Sequence, residues 1–197
     1  MDAGLINKYV NFKNPAKILD IGFGSGKDSV YFAQNGFDVD AIDFDDEKIS
    51  VFKKRIGHLK NINIIYENLL DFEFPQNHYD VILANHVLDF IRYADFQRII
   101  RKIHNALKLD GIFFLAIFNI SDPFFNKLSE KNLRRPENNS FLINDHDVRH
   151  FYTKSDIEFM KKFFEIEFFE EESVDDNHGP TGKHHHNFFR IVAKKVV

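Results

Sequence analysis

Short apolar segments alternate along the chain with longer segments in which apolar residues recur every three or four positions. The short segments predict β-strands, and the longer segments between most of them predict amphipathic helices that cover a sheet. The helical spacing is clearest in two sets, which are Val51, Phe52, Ile56 and Leu59, and Phe96, Ile99, Ile100, Ile103 and Leu107. The predicted strands lie near residues 17–21, 38–43, 62–66, 79–84, 111–118, 164–171 and 187–195.

This alternation is typical of an α/β fold with a mostly parallel sheet and helices on both of its faces. No helix separates the last two predicted strands, so we expect them to form an antiparallel hairpin at one edge of the sheet. The length of 197 residues predicts a single domain over residues 1–197. Polar residues 120–150 are expected to form an insertion or flap over the substrate site, and residues 170–186 a second loop there.

Composition narrows the classes of function. The chain has no cysteine, which excludes disulfides, thiolate metal sites and cysteine nucleophiles. The formal net charge of -4, with lysines and arginines scattered along the chain, argues against a nucleic-acid partner. Because there is no apolar run of 18 residues and residues 1–14 lack a signal pattern, we expect a soluble cytoplasmic protein without a membrane partner.

The turn after the first strand carries the most specific chemical signal. Gly22, Gly24 and Gly26 alternate in this turn, where a missing Cβ permits positive φ and lets a ligand approach the main chain. Asp20 lies at the end of the first strand, and Asp43 ends the second strand about 20 residues later, a spacing typical of an acid that accepts ribose hydroxyls. The pattern therefore favours an adenosine-containing ligand.

Two common phosphate motifs do not fit this turn. A dinucleotide fingerprint needs a third glycine three positions after Gly24, where Lys27 stands instead. A P-loop needs a serine or threonine after its lysine, whereas Lys27 is followed by Asp28. Because Asp28 joins Asp20 and Asp43 near one helix start, the turn favours a ligand with a positive centre and no phosphate.

These residues resemble a known family. The segment Asp20–Gly26, reading DIGFGSG, resembles the glycine-rich motif of class I S-adenosylmethionine-dependent methyltransferases, and Asp43 resembles their ribose-binding acid. Asn68–Leu70 and Tyr79–Asn85 resemble the adenine-binding turn and the fourth-strand motif, and the resemblance extends over roughly the first 118 residues. Within this superfamily, residues 35–39, 80–82 and 87–91 are similar to the small tellurite-resistance-type methyltransferases.

The resemblance implies a Rossmann-like three-layer sandwich with a seven-stranded sheet, and S-adenosyl-L-methionine as the cofactor. The glycines would hold the methionine and sugar, Asp20 the methionine ammonium and Asp43 the ribose. Asn68 would contact the adenine through its amide oxygen, with the main chain of Leu69 as the other possible partner, and Phe44 would lie either on the adenine or in the core. The implied cofactor-binding residues are Asp20, Gly22, Gly24, Gly26, Asp43, Phe44, Asn68, Leu69 and Asn85.

The predicted catalytic residues are histidines and one tyrosine. Asn85 and His86 follow the fourth strand, at the position that faces the transferred methyl group in many methyltransferases. His86 is interpreted either as a base or as a residue that caps a helix or packs under the flap. Tyr152 and His186 are further candidates for substrate contact, and Asp89 is expected to be a solvated helix residue.

A histidine cluster near the C-terminus offers a second kind of site. His178, His184 and His186 can share one strand face as metal ligands, with His185 facing away. We predict no metal, because no thiolate and no H-E-x-x-H helix accompanies them. The histidines are interpreted either as a polar lining of the substrate pocket or as surface residues without function.

The sequence thus predicts methyl transfer from S-adenosyl-L-methionine to a small molecule by direct displacement. Two alternatives stay open, a protein that binds the cofactor or its product without turnover and a nicotinamide-dependent reductase. A nucleic-acid methyltransferase is disfavoured, because Asn85-His86-Val87-Leu88 stands where the Asn/Asp-Pro-Pro-aromatic tetrapeptide is expected. The tellurite-resistance resemblance suggests a chalcogen oxyanion or a small thiol as the acceptor.

Overall fold

The computed structural model describes residues 3–9, 16–144, 147–177 and 183–196. The helices are α1 (Ala3–Tyr9), α2 (Lys27–Gln34), α3 (Asp46–Arg55), α4 (Tyr93–Ala106), α5 (Pro123–Ser129) and α6 (Lys154–Glu158). The strands are β1 (Lys17–Ile21), β2 (Asp38–Asp43), β3 (Ile62–Tyr66), β4 (Tyr79–Asn85), β5 (Leu107–Phe118), β6 (Ser140–Leu142), β7 (Val148–His150), β8 (Phe164–Asn177) and β9 (Lys183–Lys195). Single 3₁₀ turns cover Leu88–Phe90 and Phe159–Lys162.

Seven strands form one sheet in the order β3-β2-β1-β4-β5-β9-β8. The first five strands run parallel, and β9 pairs antiparallel with both β5 and β8. This topology confirms the predicted α/β fold class, with a mostly parallel sheet and an antiparallel hairpin at one edge. The order reverses between β1 and β4, which is where a crevice opens at the carboxyl ends of parallel strands.

Each face of the sheet has its own apolar core, which makes the structure three-layered. Leu19 and Ile21 of β1 pack in the cluster that contains the apolar face of α4. Ile18 of the same strand packs in the other cluster, with Phe32 of α2 and Phe52 of α3. Because side chains alternate along a strand, both faces of β1 are buried, as expected for a central parallel strand.

The predicted loop at 170–186 is mostly strand, so this prediction was wrong. β8 continues to Asn177 and β9 begins at Lys183, and their register pairs Glu170 with Arg190 and Asp175 with His185. Arg190 forms an ion pair with Glu170 at 2.9 Å, and Nδ1 of His185 lies 2.8 Å from Oδ1 of Asp175. Cross-strand pairs of this kind stabilise a polar hairpin whose sequence lacks the alternation of apolar residues that predicts a strand.

The segment at residues 120–150 contains regular structure of its own. Helix α5 begins at an N-cap, Asp122, whose side chain accepts from the Phe124 N–H. Strands β6 and β7 pair antiparallel in a separate two-stranded sheet. A third apolar cluster of Leu128, Phe141 and Phe151 joins these elements. We call this small unit, residues 120–144 and 147–150, the cap.

Candidate functional site

Three parts of the chain that the sequence analysis singled out meet at the carboxyl edge of the sheet. The glycine turn follows β1, Asp43 ends β2, and Asn85 ends β4. β1 pairs with β2 on one side and with β4 on the other, so these three strand ends are direct neighbours. Tertiary structure therefore assembles the predicted ligand crevice at the point of strand-order reversal.

The three glycines of the turn are needed for different reasons. Gly22, Gly24 and Gly26 have φ values of 65°, 51° and 69°. A Cβ on Gly22 would lie 2.3 Å from Val87, and a Cβ on Gly26 would lie 2.0 Å from the Phe52 ring, so internal packing excludes any side chain there. A Cβ on Gly24 would meet only the Gly22 carbonyl oxygen, at 3.9 Å. The main chain at Gly24 therefore faces open space that a ligand can enter.

Asp43 connects the glycine turn to the end of β2. Its carboxylate is buried, with Oδ2 accepting from the Gly24 N–H at 3.1 Å and Oδ1 accepting from the N–H groups of Phe44 and Asp45 at 2.8 and 3.1 Å. Each carboxylate oxygen can accept two hydrogen bonds, so Oδ2 retains capacity for a ligand hydroxyl. The neighbouring Phe44 is 65% exposed, which excludes the core alternative and presents an aromatic surface beside the crevice.

The floor of the crevice is acidic. Asp20 is 2% exposed, and its Oδ2 accepts from the Ser29 hydroxyl at 2.5 Å. Burial raises the pKa of Asp20 to about 7, the Ser29 hydrogen bond lowers it, and the neighbouring Asp28 raises it further. The Asn85 amide donates to Asp28 at 3.4 Å, which links the end of β4 to the first turn of α2. Such a floor favours a ligand with a positive centre.

The predicted adenine-binding turn is also formed, with its hydrogen bonds directed inward. Asn68 is exposed, and its side-chain oxygen accepts from the Leu70 N–H at 2.9 Å. Its main-chain oxygen accepts from the N–H groups of Asp71 and Phe72. The amide oxygen of Asn68 therefore helps to shape its own loop and retains one further acceptor position.

His86 lies immediately beyond β4 in a strained conformation. Its φ of 52° is in the left-handed region, and its N–H donates to the Ala116 carbonyl at 2.9 Å. The imidazole stacks on Phe118 with ring centroids 4.4 Å apart and meets Phe188 edge-on at 4.9 Å. A non-glycine residue held at positive φ costs free energy and is most common at functional sites.

Asp89 is not a solvated helix residue, so this expectation was wrong. Its side chain is fully buried, within the 3₁₀ turn that follows His86. Oδ1 accepts from the Phe118 N–H at 2.7 Å, and Oδ2 lies 3.5 Å from Nδ1 of His86. The turn folds back under the end of β5, and this places the carboxylate inside the protein.

A second imidazole and carboxylate pair lies on the other side of Phe118. Nδ1 of His186 lies 3.0 Å from Oδ2 of Asp122, which also accepts from the Asn187 N–H at 3.0 Å. The His186 and Phe118 ring centroids are 4.9 Å apart. Asp122 is 1% exposed, so this carboxylate is almost completely buried. The structure thus brings two of the three predicted catalytic residues, His86 and His186, to one aromatic ring.

The cap contributes a cation to this region. The Arg149 guanidinium on β7 lies 3.9 Å above the Phe90 ring and 5.9 Å from the Phe118 ring. Burial lowers the pKa of Arg149, while the charges of Asp89 and Asp122 raise it. Two buried carboxylates and one guanidinium therefore surround the ring that separates the two histidines.

Tyr152 is not positioned for substrate contact. Its side chain is fully buried in the core, and its hydroxyl donates to the Leu88 carbonyl at 2.8 Å. Burial and the nearby carboxylates, Asp89 first among them, raise its pKa well above the ordinary value. Tyr152 therefore stabilises the 3₁₀ turn after His86 through this hydrogen bond and does not face the crevice.

The histidine cluster is only partly described. His178 and the side chain of His184 lie outside the described residues. The His185 ring contacts the Ser173 hydroxyl at 2.7 Å and Asp175 at 2.8 Å, so it is a cross-strand partner within the hairpin. Among the described residues, no group of three or more potential ligands is arranged to hold a metal ion.

Sequence reasoning missed Asp89, Asp122 and Arg149. Asp122 had a usable signal, because Asp followed by Pro123 is typical of a helix N-cap with proline at the first helical position. For Asp89 and Arg149, no local sequence pattern predicts that the side chain is buried.

Comparison with known proteins adds a family and a set of relatives. The sequence model of a family described as a methyltransferase domain matches residues 3–162. A carboxy-S-adenosyl-L-methionine synthase from Campylobacter fetus is 27% identical over 109 residues, covering 54% of this chain and 46% of that protein. A probable S-adenosyl-L-methionine-dependent methyltransferase, TehB from Haemophilus influenzae, is 28% identical over 101 residues, covering 50% and 34%. The chain spans less than half the length of these two curated relatives.

Solved structures match over almost the whole chain. A SAM-dependent methyltransferase from Methanosarcina mazei has a TM-score of 0.78 and 25% identity, covering 98% of this chain and 97% of that one. TehB from Haemophilus influenzae has a TM-score of 0.73 and 18% identity, covering 98% and 62%. Within the described residues, no helix is long and apolar enough to cross a membrane. The cytoplasmic location stays a prediction.

Proposed function

Since the chain belongs to the methyltransferase-domain family and its cofactor is S-adenosyl-L-methionine, we propose that it transfers the cofactor's methyl group to a small-molecule acceptor. The resemblance of the sequence to class I methyltransferases of the tellurite-resistance type is confirmed by the family match and by the TehB relatives. When bound, S-adenosyl-L-methionine supplies an electrophilic methyl group on a positively charged sulfur.

The geometry of Gly24 and Asp43 supports the assignment of the cofactor to particular residues. The main chain at Gly24 has positive φ and open space where a Cβ would project, while Asp43 lies directly beside it. In the proposal, the Gly24 main chain contacts the sugar and methionine portion, and Oδ2 of Asp43 accepts from a ribose hydroxyl. Phe44 covers one face of the adenine, and the Leu69 main chain contacts its edge.

The remaining assignments follow the charges and the position of the strand ends. Asp28 gives the crevice floor a negative character that suits the ammonium and the sulfonium, and a positive ligand would favour the ionised form of Asp20. Asn85 and His86 follow the neighbouring strand and are assigned to the side on which the acceptor binds. Little covalent assistance is needed for displacement from a sulfonium, so the protein mainly aligns the reactants and excludes water.

A small acceptor is supported by what surrounds His86. Phe118 and Phe188 enclose its ring, and Arg149 of the cap reaches across to Phe90. The crevice on this side is therefore lined by aromatic rings and closed by a cap, which suits a small molecule better than a polymer.

The test is a calorimetric titration of S-adenosyl-L-methionine and S-adenosylhomocysteine into the wild type and Asp43→Asn. The variant replaces the carboxylate by an amide of the same size, so a charge-assisted contact to the ribose becomes a neutral one. One main-chain acceptor is also lost, because both carboxylate oxygens accept from N–H groups. We expect affinity for both ligands to fall by about 1–3 kcal/mol, because both share the ribose. Unchanged affinity for both ligands would show that Asp43 does not contact the ribose.

Asp45→Asn is the matched control. Asp45 is the N-cap of α3, where Asn caps a helix as well as Asp does, so neither affinity nor folding should change. An acceptor screen that measures S-adenosylhomocysteine formation then separates an enzyme from a protein that only binds the cofactor. A parallel titration with NADH tests the reductase alternative, and tight NADH binding without S-adenosyl-L-methionine binding would favour it.

A further inference from the structure

The Asp89 carboxylate has one oxygen without a hydrogen-bond donor, although the side chain is fully buried. Oδ1 is satisfied by the Phe118 N–H, whereas Oδ2 approaches only Nδ1 of His86, at 3.5 Å, and neither of these two atoms has another hydrogen-bond partner in the described part of the chain. Leaving a buried carboxylate oxygen unsatisfied is costly. The cost is offset when the imidazole donates to it or becomes positively charged beside it.

The contact with Asp89 determines which nitrogen of His86 is basic. The His86 side chain is 29% exposed, but its Nδ1 is buried, so the exposed part of the ring lies on the other side. An ionised carboxylate only accepts hydrogen bonds, so a neutral imidazole that donates to Asp89 does so from Nδ1. Nε2 then carries the lone pair on the accessible edge of the ring.

The main chain of His86 lies beside the cofactor crevice. The next residue, Val87, fills the space where Gly22 would otherwise carry a Cβ. The preceding residue, Asn85, donates to Asp28 in the first turn of α2. His86 is thus held between two contacts with the glycine turn and its helix, and its positive φ turns the side chain away from the regular strand direction.

The charges around Phe118 favour a neutral acceptor over an anion. Asp89 and Asp122 contribute two negative charges and Arg149 one positive charge, so one negative charge remains when both imidazoles are neutral. An oxyanion entering this region would be repelled. A proton transferred to His86 would instead be stabilised, because the imidazolium would lie next to the Asp89 carboxylate.

Building on the proposed methyl transfer, we propose that Asp89 is a positioning residue that holds His86 as the base for a neutral acceptor whose nucleophilic atom carries a proton. An alkyl thiol is one such acceptor. The acceptor's lone pair forms the new bond to the methyl carbon, and the electron pair of the broken carbon–sulfur bond stays on the cofactor's sulfur. The acceptor's proton passes to Nε2 of His86. S-adenosylhomocysteine and a methyl thioether are the products.

Two variants test the pair. In Asp89→Asn the amide oxygen still accepts from the Phe118 N–H, while the amide NH₂ faces Nδ1 of His86 and forces the proton onto Nε2. In His86→Asn the amide can still reach Asp89 and the positive φ is tolerated, but the ring contacts with Phe118 and Phe188 are lost together with the basic nitrogen. The controls are Asp95→Asn and His104→Asn on α4, where Asp95 pairs with Arg98 and the His104 ring packs against Phe163 and Phe164.

The assay measures S-adenosylhomocysteine formation at neutral pH with three acceptors, which are 1-propanethiol, benzenethiol and sodium selenite. Propanethiol is mainly protonated at this pH and needs a base, whereas benzenethiol is largely ionised already. We expect both site variants to lower kcat with propanethiol by about 100-fold or more, the usual contribution of a general base. With benzenethiol the loss should be much smaller. Calorimetry should show unchanged S-adenosyl-L-methionine affinity, and both controls should behave as wild type.

The outcomes separate the two proposals. If the wild type turns over a thiol and neither site variant is slower, or both thiols lose activity equally, the role of Asp89 and His86 is wrong and the methyltransferase assignment stands. If selenite is methylated and the thiols are not, the neutral-acceptor inference is overturned. If the wild type binds no S-adenosyl-L-methionine, the proposed function fails, and this inference fails with it.

Discussion

Alanine substitutions at two neighbouring glycines of the turn should have opposite signatures. At Gly26, φ is 69° and the new Cβ would lie 2.0 Å from the ring of Phe52, which is fully buried and cannot move away. Left-handed strain costs about 1–2 kcal/mol, and overpacking a core costs about 1–3 kcal/mol more. Gly26→Ala should therefore lower the free energy of unfolding by roughly 2–5 kcal/mol.

At Gly24 the strain is similar but the space is open. φ is 51°, and the nearest heavy atom to the new Cβ is the Gly22 carbonyl oxygen at 3.9 Å. The strain of about 1–2 kcal/mol is partly offset by about 0.4–1 kcal/mol from the less flexible unfolded chain. Gly24→Ala should thus lose only about 1 kcal/mol of stability. Its affinity for S-adenosyl-L-methionine should fall tenfold or more, about 1.4 kcal/mol, because the methyl group occupies ligand space.

Urea unfolding followed by circular dichroism measures the first quantity, and calorimetric titration measures the second. Gly57→Ala is the control, because Gly57 is not at positive φ and its nearest neighbour would be the Lys54 carbonyl oxygen at 3.8 Å. This control should keep its affinity and gain up to about 1 kcal/mol of stability. Equal loss of stability at Gly24 and Gly26, or full affinity in Gly24→Ala, would refute the division of the turn into packing and ligand-facing glycines.

Two further substitutions probe the buried polar groups. Tyr152→Phe leaves the Leu88 carbonyl without its donor, so urea unfolding should show a loss of about 1–3 kcal/mol in stability. Thiol methylation should stay near the wild-type rate. A large fall in kcat with unchanged stability would show that Tyr152 acts in the active site. Asp20→Asn should change how stability depends on pH, because burial raises the pKa of Asp20 in the folded protein to about 7. The protonated carboxyl therefore contributes its full stability below about pH 3.8, and the wild type loses this contribution as pH rises through 7. Unfolding free energies at pH 5 and pH 8 should therefore show the variant gaining on the wild type at the higher pH, by up to about 3 kcal/mol. Equal pH slopes would show that Asp20 is ionised in the folded protein.

The predictions made from sequence succeeded where the information is local. β1, β2 and β3 have the predicted bounds, since a short run of mostly apolar residues between polar residues or glycine predicts a strand without knowledge of its neighbours. β5 was predicted from residue 111 but begins at Leu107, directly after α4. The hairpin of β8 and β9 was missed over most of 170–186, because its polar residues are stabilised by cross-strand partners that periodicity does not reveal.

The amino-acid sequence by itself determined the layered α/β fold, the glycine turn and the acid that ends β2, because apolar periodicity and glycine spacing act within a few residues. Only the tertiary structure decided that Asp89 is buried against His86, and that Asp122 meets His186 across 64 positions of chain. It also decided that Gly22 and Gly26 serve packing while Gly24 faces open space. Burial and electrostatic pairing depend on distances between segments remote in the chain, and those distances exist only once the sheet has formed.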